Sequence, residues 1–360
     1  MRTDLIHKIF NSSITSNNLA NKDLDDLCEL SAKHRIKQIF IDAICLTQDK
    51  RVNFEEHAKQ YTKYSCTRDM KILSEANQIS NILDDLDITF VFLKGTAFKM
   101  SIYKNSFWRD CRDIDILVNP SDVKKTLLAL FEKGYRYIVA EDSQNTDIDY
   151  INTHQAPVLR SPNGQYLEVH FRITMENDEC LLAQDMLKNQ KNHIAAHHLN
   201  LIHVSYHALV LNRLNNGLMS LVDINYLLKK VSKREAINAS KKYKLKETTK
   251  HMIELYEINI AEDKAHLKKT DMLYISNELI HAGEALVGFR TNLINIKKSL
   301  NNFQKKYLGN SESKINLFKL NISFIKYISM KLFFHISSVL KNPNLWIKRN
   351  KLKKYIKRTF

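Results

Sequence analysis

The chain has 360 residues, 44% of them hydrophobic, and a formal net charge of +16. That is enough for two or three domains with a sizeable core, and it excludes a disordered or fibrous class. Its five cysteines are scattered without a CxxC pair, which argues against a disulfide scaffold or zinc knuckle and suits a reducing cytoplasm.

The start, "MRTDLIHKIFNSS", lacks the apolar core expected of a signal peptide. From about Lys22 to Asp85 the spacing predicts helices, because apolar residues recur every three or four positions in "LDDLCELSAKHRIKQIFIDAICL" and beyond. The pattern changes at Asp87. "ITFVFLKG" reads as a buried strand ending in glycine, and "TAFKMSIY" as the start of a helix. "DIDILV" reads as a second strand, followed by a helical "SDVKKTLLALFEKG" with Ser121 or Asp122 as its cap. "YRYIVA", "APVLR" and "YLEVHFRI" read as three further strands, the last two joined by the turn "SPNG". Helices resume from about Ala183 to Leu300, and the His193, His197 and His198 cluster reads as a solvated helix face. The expected organisation is a helical region over 1–85, a core over 86–178, a second helical domain over 179–308 and a basic amphipathic tail over 309–360. The last sixty residues hold 14 lysines and arginines against one acid, so the rest of the chain is near neutral. Lys326, Lys331 and His335 break the most apolar run of the tail, so no membrane span is expected. Three readings of the tail stand: a helix packed on the body, a helix lying on an anionic membrane through residues 313–360, and an RNA contact.

Asp113 and Asp115 are separated by one residue inside an apolar strand. Successive strand side chains alternate between faces, so both acids share a face while Ile114 and Ile116 share the other. Two close carboxylates repel, and burial raises the cost; a divalent cation such as Mg²⁺ or Mn²⁺ offsets both. Glu168 and His170 share a face of a later strand, and Glu168 can complete a three-carboxylate cluster if the strands are neighbours. Gly95 and Thr96 stand where strand meets helix and can hold a phosphate, with Lys94 and Arg109 as cationic contacts. The alternative is an exposed strand face neutralised by Arg109 and Arg112. His203 and His207, four apart, share a helical face, as a metal site, for packing or as a wall of the site; no HExxH glutamate accompanies them. Asp223, inside "LVDINYLL", reads either as a salt-bridge partner, with Arg213 a candidate, or as a residue that closes a nucleotide pocket. Trp108 reads as packing, and Cys111 as a buried thiol or as a reactive one between two arginines.

Taken together, "FLKGTAF", "RDCRDIDILV" and "YLEVHFRI" resemble the bacterial uncharacterised nucleotidyltransferases, a family of the polymerase-β-like superfamily. Arg109, Asp113, Asp115, Glu168 and His170 fall on its pattern, with Phe171 in place of the more usual Trp; His203, His207 and Asp223 match its later helical region. The resemblance implies an α+β or α/β core, a polymerase-β-like nucleotidyltransferase fold with a mixed sheet and flanking helices, embedded in a mostly helical protein. It implies transfer of a nucleoside monophosphate from an NTP to an acceptor, with release of pyrophosphate. Asp113, Asp115 and Glu168 would bind Mg²⁺, Thr96 and the Gly95 amide the β- and γ-phosphates, and Lys94 and Arg109 would offset phosphate charge. The acceptor it leaves open is a small molecule, glycan precursor, peptide, protein or tRNA, with surface-glycan or modified-peptide biosynthesis favoured. The location expected is cytoplasmic, with the tail peripheral to the inner membrane face as the further reading. The competing functions are a kinase-type phosphotransferase, a non-catalytic nucleotide-binding or membrane-peripheral protein on the same fold, and a basic RNA-binding module.

Overall fold

The computed structural model describes residues 28–29, 31–45, 52–138, 153–173, 181–214 and 217–260, with isolated positions at 144, 146–148, 347–348, 351–352 and 354. Two helices lead in, α1 (Lys37–Cys45) and the 33-residue α2 (Val52–Asp84). In α2 the fully buried Ile72, Ala76, Ile79 and Leu83 repeat at helical spacing, so one stripe faces the core.

The expected strand–helix–strand order follows. Strand β1 (Phe90–Leu93) passes straight into α3 (Lys94–Ser101), and β2 (Asp113–Val118) leads to α4 (Val123–Glu132). A short 3₁₀ turn, Pro120–Asp122, precedes α4, and Asp122 makes no side-chain cap bond, so the expected cap is not formed. The three later strands are shorter than the sequence suggests: β3 (Arg136–Tyr137), β4 (Leu159–Arg160) and β5 (Tyr166–His170). The "SPNG" turn does join the last two, closed by Gly164 N–H to the Ser161 carbonyl at 2.9 Å with Gly164 at φ +81°. Beyond them lie α5 (Leu181–Lys188), a hairpin of β6 (Gln190–Lys191) and β7 (Ile194–Ala195), α6 (His197–Tyr206) continued by a π-turn over His207–Leu211, α7 (Met219–Leu228), α8 (Lys233–Ser240) and α9 (Lys246–Ile260).

The sheet is mixed, in the order β3-β4-β5-β2-β1-β7-β6. β1 runs antiparallel to β2 and parallel to β7, while β2 runs parallel to β5. The β6–β7 hairpin carries the sheet past residue 178. His193 sits in the turn of that hairpin at φ +59°, stacked on Phe90 with ring centroids 4.1 Å apart, and not on a helix face.

Helices cover both sheet faces. Phe90, Phe92, Ile114, Ile116, Val118, Leu167 and Val169 join the main core with the buried stripe of α2. Val91, Leu93 and Leu117, on the other face, form a second core with Leu182, Met186, Leu199 and Ile202 of α5 and α6. The fold is thus α+β. Leu352, from the basic tail, is fully buried in the main core; the rest of the tail, and with it the membrane and RNA readings, lies almost entirely outside the described residues.

Candidate active site

β1 turns into α3 with no intervening loop. Lys94 makes the turn at φ +48°, a left-handed conformation that costs a non-glycine residue on the order of 1 kcal/mol and persists only when its surroundings hold it. Gly95 follows because a Cβ there would lie 2.5 Å from Cys111 Sγ. Thr96 is fully buried, its hydroxyl 3.9 Å from the same sulfur. Cys111 is buried too; burial, then Asp113, pushes its thiol pKa up, the opposite of a reactive cysteine.

The ladder between β2 and β5 sets Asp115 opposite Glu168, with Asp113 opposite Tyr166 and Leu117 opposite His170. Because the side-chain period is two, Asp113, Asp115, Glu168 and His170 occupy one sheet face. β1 is antiparallel to β2, so its end, Leu93, pairs with Asp115 and delivers Lys94 to the same place. Lys94 Nζ lies 2.7 Å from Asp115 Oδ1. His170 Nε2 reaches the same oxygen at 2.8 Å and Glu168 Oε2 at 3.4 Å. Asp115, Glu168 and His170 each bring a potential ligand atom within 4.8 Å of the others. Asp115 and His170 are buried, while Asp113 and Glu168 are half-buried.

These contacts split the two aspartates electrostatically. Burial would raise Asp115, but Lys94 and then the His170 hydrogen bond overcome it and hold the carboxyl well below the usual range. Asp113 has no hydrogen-bonded partner of this kind among the described residues. Burial, then Asp115 and Glu168, push it up to about 6. His170 is opposed by burial and by Lys94, yet its bonds to Asp115 and Glu168 carry it upward.

Three more histidines surround this group. The ring of His154 is 5.4 Å from that of His170, and His203 and His207 stand edge to face at 6.1 Å. Burial, then His170, brings His154 down to about 4; burial, then Lys94, brings His203 down to about 3. Both are neutral at pH 7, and His203 Nδ1 is buried with no hydrogen-bond partner among the described residues.

Arg109 and Asp223 form a separate buried unit. The guanidinium grips Asp223 with both arms, Nε to Oδ1 at 2.8 Å and Nη2 to Oδ2 at 2.9 Å. Tyr103 O–H donates to Asp223 Oδ1 at 2.7 Å. This ties the lead-in of β2 to α7. The tyrosine carried no signal in the sequence, since "SIY" reads as an ordinary helix end. Trp108 packs partly buried against the main core, with its indole N–H on Asp42. Asp110 takes Arg35 at 3.1 Å and also pairs with Arg68. A polar hollow lined by Asp84, Asp87, Phe90, Gln190 and His193 lies at the opposite end of β1, away from the carboxylates.

A family model described as "Uncharacterised nucleotidyltransferase" matches residues 20–257, well over half the chain. The chain belongs to that family. This nucleotidyltransferase match spans every strand of the sheet and all the residues placed above, and it supports a transferase activity. A search of curated proteins finds no match, and a search of solved structures finds none. Among the described residues no helix is long and apolar enough to cross a membrane.

Proposed function

We propose that this nucleotidyltransferase moves a nucleoside monophosphate from an NTP to an acceptor hydroxyl or phosphate, with pyrophosphate as the leaving group. The observation that carries the reading is the meeting of Asp115, Glu168 and Lys94 on one face of the sheet, from the three neighbouring central strands β2, β5 and β1.

The donor set fits a divalent metal. Asp115, Glu168 and His170 have ligand atoms within 4.8 Å of one another, and Asp113 stands one step along the same face. Carboxylate oxygens suit Mg²⁺ or Mn²⁺, and His170, with Nε2 bonded to Asp115 and braced by Glu168, orients them. When bound there, the metal supplies charge stabilisation for the phosphates and eases ionisation of an attacking hydroxyl.

The remaining work falls to the chain's own groups. Asp115, with Asp113 beside it, would hold the metal and so fix the reacting phosphate. Glu168, at 22% side-chain exposure the most accessible of the buried cluster, takes the acceptor's proton. Lys94 meets the leaving phosphates as a mobile ammonium. Thr96 Oγ1, buried beside Cys111, stabilises the turn, so phosphate contact from this turn falls first to Lys94. Arg109 acts as a positioning residue, because its guanidinium is already committed to Asp223. Catalysis in such a site comes from positioning and electrostatics.

The test is incubation of the full chain with each α-³²P-labelled NTP, Mg²⁺ or Mn²⁺, and cell extract. Label transferred to an acceptor, with pyrophosphate released and both lost in Asp115→Asn, supports the reading. Release of ADP with transfer of a γ-label indicates a phosphotransferase. No transfer with any of the four nucleotides removes it.

A further inference from the structure

We propose that Lys94 is the resident cation of the metal site: it holds Asp115 Oδ1 in the resting enzyme, yields that oxygen to the divalent metal, and is thereby released toward the nucleotide.

The geometry starts with one atom. Asp115 Oδ1 takes Lys94 Nζ at 2.7 Å and His170 Nε2 at 2.8 Å. A carboxylate oxygen offers two lone-pair sites, and both are taken. A metal ion using this oxygen must therefore displace one of the two donors. His170 is the fixed one. It lies in β5 with its side chain 4% exposed, and Glu168 braces the same nitrogen at 3.4 Å. Lys94 is the one able to leave. Its ammonium is carried on a flexible four-carbon stem and its side chain is 16% exposed.

Charge favours the exchange. Three carboxylates, Asp113, Asp115 and Glu168, act on Lys94 together, and one ammonium, with His170 on two of them, compensates them incompletely. A divalent ion in its place compensates more, and the freed ammonium becomes available to a ligand of opposite sign. The left-handed turn at Lys94 places the residue at the C-terminal end of β1, beside the acids, before any ligand arrives. The destination of the released ammonium, the triphosphate, rests on the transferase reading; the exchange at Asp115 does not.

The experiment is a nucleotide-free titration of the full chain with Mn²⁺, reading free Mn²⁺ by electron paramagnetic resonance, for wild type, Lys94→Met and Lys94→Arg. Removing the competing ammonium is expected to tighten Mn²⁺ binding about tenfold in Lys94→Met, within the range by which neighbours of metal ligands change affinity, while Lys94→Arg stays within about threefold of wild type. Equal or weaker binding in a Lys94→Met protein with native circular dichroism overturns the exchange and leaves the transferase reading standing. Should Lys94→Met not fold, wild type still decides: modification of Lys94 by an amine-reactive reagent, quantified by mass spectrometry, is expected to rise several-fold once Mn²⁺ is bound. An unchanged rate with Mn²⁺ bound overturns the proposal. Absence of Mn²⁺ binding in every variant overturns the exchange, and the transferase reading then rests on the labelled-nucleotide assay alone.

Discussion

Asp115 and Glu168 are direct neighbours across the parallel ladder of β2 and β5, and their negative charges meet on one buried sheet face. Like charges that close are unfavourable without a counter-ion. The chain supplies Lys94 and His170 to Asp115, and leaves Asp113 with most of the imbalance.

That imbalance sets a pH dependence for the metal-free protein. The Asp113 carboxyl stands at about 6 in the folded state, above the roughly 3.9 of an unfolded aspartate. The folded chain therefore binds this proton more tightly than the unfolded chain does. Its contribution to stability is full below about pH 4 and is lost as pH rises through about 6. Asp113→Asn in EDTA should be more stable than wild type at pH 7.5 by about 2 kcal/mol, and the gap should narrow as pH falls through about 6 and close below about pH 4. Urea unfolding at three pH values checks this; a gap that does not change with pH contradicts it.

Asp223 makes a second prediction. Removing it leaves the Arg109 guanidinium buried without its partner, a change that costs about 3–5 kcal/mol. Asp223→Ala should lose that much in urea, whereas Arg109→Met with Asp223→Leu should lose clearly less, because no charge is stranded. A double variant as unstable as the single one would show that packing, and not the stranded charge, dominates.

The turn after β1 makes a third. Gly95→Ala puts a methyl 2.5 Å from Cys111 Sγ, and that thiol donates to the Asp113 carbonyl at 2.9 Å. The clash should cost about 1–3 kcal/mol and displace the start of β2. Cys111→Ala in the same chain should restore part of the stability and part of any Mn²⁺ binding lost. A Gly95→Ala protein as stable as wild type would show that the sulfur moves aside freely.

Much of this was legible in the residues. The alternation around Asp113 fixed which side chains share a face, and the apolar run "FVFL" gave the strand beside it. Glu168 was harder, because alternation says nothing about which strands are neighbours; only the parallel pairing of β5 with β2 brings it to Asp115. The partner of Lys94 was unreadable for the same reason. Asp223 was legible as a salt-bridge partner, but the sequence offered Arg213 for it; that it is gripped by Arg109, 114 positions away, was hidden by distance along the chain. The hairpin at residues 190–195 escaped because two-residue strands leave no periodicity to detect.

That hairpin governs how the molecule can be divided. β7 pairs with β1 at Phe92 and Ile194, and Phe92 N–H donates to the His193 carbonyl at 2.8 Å. A fragment cut at residue 178 would lose β7 and open the flank of β1 at Phe92, inside a strand of four fully buried apolar residues, to other chains. Such an edge templates intermolecular pairing. The hairpin is therefore not an appendage to the sheet but two of its strands, and a sheet excised without it would be expected to aggregate before it could be assayed.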